Sequence, residues 1–124
     1  MAQWQYYADN RLRLLAGGTG FHPALLEAIN AAQHEICLET YIFAGDEVGQ
    51  TIEQALQAAA KRGVAVKIIS DWHGTGRGRI KQLERTLRAS GAEHRSYNPW
   101  FWHGASRSHR KLCLIDGRTA FVGG

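Results

Sequence analysis

The feature that most narrows the fold is an alternation of two hydrophobic periods along the chain. Ile36-Cys37-Leu38-Glu39-Thr40-Tyr41-Ile42-Phe43 is rich in β-formers and apolar at nearly every position, as expected of a central strand covered on both faces. The period then changes. Val48, Ile52, Leu56 and Ala59 share one helical face, Asp46 stands where an N-cap belongs, and Gly63 where a helix stops. Val64 to Ile69 returns to a strand pattern. Ile80, Leu83 and Leu87 mark another helix, stopped by Gly91, and a short strand follows from Arg95 to Tyr97. Strands alternating with amphipathic helices predict parallel βαβ units with right-handed crossovers, hence an α/β fold with a mixed, mostly parallel sheet flanked by helices.

Upstream, Gly17-Gly18-Thr19-Gly20 reads as a loop and Pro23 as a first helical position, with Leu25, Ala28, Ile29 and Ala32 on one face. Asp71 closes the second strand, where open α/β sheets place ligand groups, although a turn or cap role is the plainer expectation for one aspartate. Arg77, Arg79, Lys81, Arg85 and Arg88 read as a solvated basic face. Trp100-Phe101-Trp102 follows Asn98-Pro99 as a loop with more aromatic surface than solubility needs. Such a tip either touches lipid or packs, and packing is the expectation.

A chain of 124 residues with 44% hydrophobic content suffices for one small folded domain. Fifteen Lys and Arg against eleven Asp and Glu, formally +4, favour anionic partners without choosing among nucleic acid, acidic headgroups and phosphate substrates. Cys37 and Cys113 lie in apolar runs and read as two buried free thiols. No stretch approaches the roughly 18 apolar residues of a spanning helix, and the start lacks a signal-peptide profile. Membrane contact is therefore expected to be peripheral.

The last eighteen residues carry the chemistry. Asp116-Gly117 is a turn signal between Leu112-Cys113-Leu114-Ile115 and Ala120-Phe121-Val122, so the segment reads as a hairpin. Strand alternation sends His109 and Lys111 to one face. An imidazole beside an ammonium suits a phosphodiester: the nitrogen attacks phosphorus while the cation holds the non-bridging oxygens, with no metal required.

His109-x-Lys111, four residues, Asp116, then six residues followed by Gly123-Gly124 resembles the HKD signature of the phospholipase D superfamily at every defining position. Leu38 to Phe43, the helix start from Asp46 to Gly49, and Ala58-Ala59-Ala60-Lys61-Arg62-Gly63-Val64 resemble the front half of bacterial cardiolipin synthases. The resemblance runs from an expected Asn10 to Leu15 strand to the final glycines, so residues 1–124 read as one phospholipase D-like N-terminal domain that ends at its first HKD hairpin.

That resemblance implies a phosphatidyltransferase needing no cofactor and no metal, in which two HKD motifs, one per half, share one site. By position, His109 would be the nucleophile or the general acid, with nucleophile the expectation. Lys111 would bind the phosphate, Asp116 would organise the site from behind, and Glu39 resembles the carboxylate that orients a catalytic imidazole. The implied reaction joins two phosphatidylglycerol molecules into cardiolipin and releases glycerol. The implied partners are anionic phospholipid, a membrane surface touched peripherally, and a second HKD half or a homodimer mate. The implied location is cytoplasmic, on the inner membrane, with nucleic acid not expected. Two alternatives remain open: a single-motif nuclease built from two identical subunits, and a non-catalytic remnant.

Overall fold

The computed structural model of the chain describes residues 3–123. Gly124, the last residue of the signature, lies outside the described residues. The order is α1 (Gly17–Ala31), β1 (Glu35–Thr40), α2 (Glu47–Lys61), β2 (Ala65–Asp71), α3 (Trp72–Thr75), α4 (Arg77–Ser90), β3 (Glu93–Tyr97), a single 3₁₀ turn (Pro99–Phe101), β4 (Lys111–Ile115) and β5 (Thr119–Gly123). The sheet runs β3-β2-β1-β4-β5, with β1, β2 and β3 parallel and the β4-β5 hairpin antiparallel beside β1. A mixed α/β fold is thus what the two periods produce.

The strand order decides which face is covered. From β1 to β2 to β3 the sheet grows in one direction, so two right-handed crossovers lay α2 and α4 on the same side. The core lies between that helical layer and one sheet face, with Ile29, Ile36, Leu56, Leu83 and Leu87 fully buried. The expectation that β1 is covered on both faces fails. Ile69 and Leu114 stay 40% and 41% exposed on the opposite face, and Cys37 beside them is only partly buried, so of the two thiols only Cys113 is fully enclosed. Burial pushes the Cys113 thiol up to about 12.

Three local readings are corrected. Residues 10–15 form no strand, and Leu12 and Leu14 are almost wholly exposed, because a strand exists only where a neighbour takes up its backbone groups. Helix α1 starts at Gly17 and holds Pro23 inside it. The carbonyl of Thr19 that loses its donor lies on an exposed residue, where water can take its place. Nor is the basic run uniformly solvated. Arg79 is partly buried against Glu53 at 2.7 Å, and its guanidinium also donates to the Phe43 and Ala44 carbonyls, tying α4 to the loop between β1 and α2.

The punctuation of α2 follows the sequence: the Asp46 carboxylate accepts from Gly49 N at 2.8 Å. Val48, however, stays 42% exposed while Ile52, Leu56 and Ala59 are buried. Among the described residues no helix is long and apolar enough to cross a membrane.

Candidate active site

Because β4 runs antiparallel to β1, its first residue lies at the carboxyl end of the parallel strands, where Thr40, Asp71 and Tyr97 also end. Open α/β sheets concentrate ligand-binding groups at this end. The approach to β4, residues 106–110, is pinned there by two carboxylates, the buried Asp71 and the partly buried Glu39.

Asp71 is fully enclosed. Its Oδ1 accepts from the N–H groups of His73 and Gly74, capping α3, and its Oδ2 accepts from Ser108 N at 3.0 Å. The cap role expected of it therefore holds, with a longer reach than the sequence suggested. Arg107 stands 3.8 Å from the same carboxylate and lies over the Phe101 ring at 4.3 Å.

Glu39, the odd carboxylate of the first strand, accepts a 2.6 Å hydrogen bond from Ser108 Oγ and lies 3.8 Å from Arg110. Its hydrogen bond therefore goes to the residue before His109 and not to the imidazole. The imidazole is held another way: it stacks on Tyr41, with ring centroids 4.2 Å apart and planes 17° from parallel. Tyr41 and Ser108 escaped the sequence reading because each acts only through a partner far away in the chain. The only signal was their adjacency to Glu39 and His109.

His109 lies two positions before the first residue of β4, in the segment that leads into the strand. Lys111 opens β4 opposite Gly123. Its ammonium makes no ion pair among the described residues. With Glu39 it lines a largely apolar cavity of about 350 Å³ walled by Phe21, Leu38, Phe43 and Phe121. Four of the five residues 107–111 are Arg, His, Arg and Lys, so this end of the sheet favours an anion.

Asp116 is elsewhere. Five residues of strand at about 3.3 Å each put it about 16 Å from Lys111, at the opposite end of β4. Its carboxylate accepts from Gln33, His34 and Glu35 N–H at 2.7 to 3.3 Å, and its own N–H donates to Glu35 O. These donors hold the carboxyl below the usual carboxylate range. The third letter of the motif thus clamps the α1-β1 junction to the hairpin tip. The tip itself closes with left-handed φ at Asp116 and Gly117, as a turn signal of this type requires.

A family model described as "Cardiolipin synthase, PLD-like domain" matches residues 25–124. The chain belongs to this phospholipase D-like family. Cardiolipin synthase B of Escherichia coli K12 is 37% identical over 121 residues, covering 93% of this chain and 29% of its own length. Cardiolipin synthase of Clostridium perfringens is 34% identical over 124 residues, covering 96% of this chain and 26% of its own. The chain therefore spans less than a third of the length of these synthases. Among solved structures, the phospholipase D family member Nuc from Salmonella typhimurium superposes with a TM-score of 0.68 at 30% identity, over 87% of this chain and 65% of Nuc. The phospholipase D-like fold is thus supported by a likeness of sequence and a likeness of shape.

Proposed function

We propose that this chain supplies one half of the active site of a phosphatidyltransferase of cardiolipin synthase type. The observation that carries the reading is that His109, its ring stacked on Tyr41, and Lys111, whose ammonium makes no ion pair among the described residues, stand two positions apart at the carboxyl end of the sheet. The 34 to 39% identity to cardiolipin synthases supports phosphatidylglycerol as the substrate.

In the first step an imidazole nitrogen of His109 attacks the phosphorus of phosphatidylglycerol. The bond from phosphorus to the glycerol headgroup oxygen breaks, and glycerol leaves with a proton from a general acid contributed by the second HKD half. Lys111 offsets the charge on the non-bridging oxygens, and the Glu39-Ser108 contact keeps the preceding residue in place. In the second step a hydroxyl of another phosphatidylglycerol attacks the phosphohistidine and gives its proton to the same group. The nitrogen–phosphorus bond then breaks and cardiolipin is released. Asp116 acts through the fold, by fixing the strand that carries Lys111. The second half comes from a longer chain or from a second copy, and the complex works at the surface of an anionic membrane, peripheral to it.

The test incubates the chain with labelled phosphatidylglycerol, alone and mixed with a separately made second HKD half, beside a His109→Ala control. Cardiolipin in the mixture only, lost in the control, is the expected result. Cardiolipin from the chain alone would assign the second half to an identical subunit. Silence in a folded mixture, or metal-independent DNA cleavage that weakens steeply with salt, would refute the transferase reading.

A further inference from the structure

Within this chain the aromatic loop stands open to solvent. Trp100, Phe101 and Trp102 remain 53%, 46% and 75% exposed. The loop is nevertheless well tied: Asn98, itself buried, donates from Nδ2 to the Gly104 and Ser106 carbonyls and accepts from His103 N. Trp100 and Phe101 both hold left-handed φ, so the backbone is committed to a shape that keeps the rings outward. Trp72, on α3, meets Trp100 at 5.1 Å and Phe101 at 5.9 Å, which joins two loops into one aromatic ridge.

Cations flank this ridge. The Arg77 guanidinium sits over Trp100 at 4.6 Å, and Lys81 lines the same shallow cleft, which holds Glu84 as its one acidic side chain among the described residues. Exposed indoles beside Arg and Lys match the layered chemistry of a bilayer surface. Amphipathic rings settle at the headgroup boundary, and the cations meet anionic phosphates. The ridge also leads directly through Ser106 and Arg107 to Ser108 and His109, so it lies at the same end of the sheet as the candidate site.

We propose that the ridge of Trp72, Trp100, Phe101 and Trp102 with Arg77 and Lys81 docks the chain on an anionic phospholipid bilayer, which brings lipid headgroups to the His109 end of the sheet. The proposal deepens the transferase reading and rests on it for the identity of the lipid.

Sedimentation with vesicles of phosphatidylcholine, with and without about one-third phosphatidylglycerol, tests it. The chain should partition onto the anionic vesicles and not onto the neutral ones. Arg77→Gln with Lys81→Gln should weaken that partition about thirtyfold, since each basic residue near an anionic surface is worth about 1 kcal/mol. Trp100→Ser with Trp102→Ser should weaken it about tenfold or more and reduce the quenching of tryptophan emission by brominated lipid chains to what Trp72, the tryptophan left in the ridge, contributes. Melting curves verify that both variants fold.

Unchanged partition in either folded variant overturns the proposal. So does equal binding to neutral vesicles, or binding to duplex DNA in place of vesicles that is lost in the same variants. A second arm separates this idea from the chemistry. On dispersed short-chain phosphatidylglycerol, with the second HKD half present, both variants should transfer at the unaltered rate. Failure of all transfer there would sink the transferase reading and leave vesicle docking standing on its own measurement.

Discussion

Asp71 offers the sharpest quantitative test of how the site is held. It is fully buried, accepts three backbone N–H groups, and is the only carboxylate within 4 Å of the Arg107 guanidinium among the described residues. Asp71→Ala strands the N–H of Ser108, a buried residue, at about 1–3 kcal/mol. It removes the α3 cap at about 1 kcal/mol, His73 being exposed enough for water to help. It also leaves a nearly buried guanidinium without its carboxylate, adding about 1 kcal/mol, as for a loose, partly exposed pair, because the two groups are 3.8 Å apart. Together these predict a destabilisation of about 3–5 kcal/mol.

Urea unfolding followed by circular dichroism should show this as a midpoint lower by about 2 M at unchanged slope. Asp71→Asn keeps one acceptor oxygen for the cap but turns an N–H₂ toward Ser108, and should lose about half as much. Adding Arg107→Met to Asp71→Ala removes the stranded charge, so the double variant should be more stable than Asp71→Ala alone. A loss under about 1 kcal/mol for Asp71→Ala, or a double variant less stable than the single, would refute the idea that this carboxylate anchors the residues before His109.

Two further outcomes follow from single side chains. Burial, with Arg88 and Arg79 nearby, lowers His94 to about 4 from 6.5, so the unfolded chain binds the proton first. Stability should therefore be complete above about pH 6.5 and fall as pH drops toward 4, by at most about 3 kcal/mol, a slope that vanishes in His94→Gln when urea midpoints are compared across pH. Gly74→Ala would place a methyl 2.6 Å from Tyr41 O and 2.7 Å from its ring, which carries His109, so it should lower the melting temperature and disturb the His109 imidazole resonances. Gly78→Ala, in open space within α4, should instead raise stability by about 0.5–1 kcal/mol, read in the same melts.

The elements themselves were legible because their signals are local. Asp46 and Gly63 bracket α2, Gly91 closes α4 in the left-handed region, and the Asp116-Gly117 turn sets the hairpin. Which face of β1 is covered was not legible, since that depends on the order in which strands assemble and not on the pattern within one strand. The same holds for Arg79, which period alone assigns to solvent and which α2 captures through Glu53. At the site, Glu39, His109 and Lys111 stood out by residue type. Their geometry did not, because the contact from Ser108 to Glu39 spans 69 positions and the stack of His109 on Tyr41 is equally remote in sequence.

The position of Asp116 separates two kinds of selective pressure that a three-letter signature merges. On the transferase reading proposed above, His109 and Lys111 serve the reacting phosphate, while Asp116 ties the hairpin to the α1-β1 junction. A descendant of this fold that had given up its chemistry would be free to lose the histidine and the lysine, yet would still need the aspartate to fold. Aspartate retained without its two companions is therefore a mark of a surviving scaffold, and only the histidine and lysine together bear on whether catalysis survives.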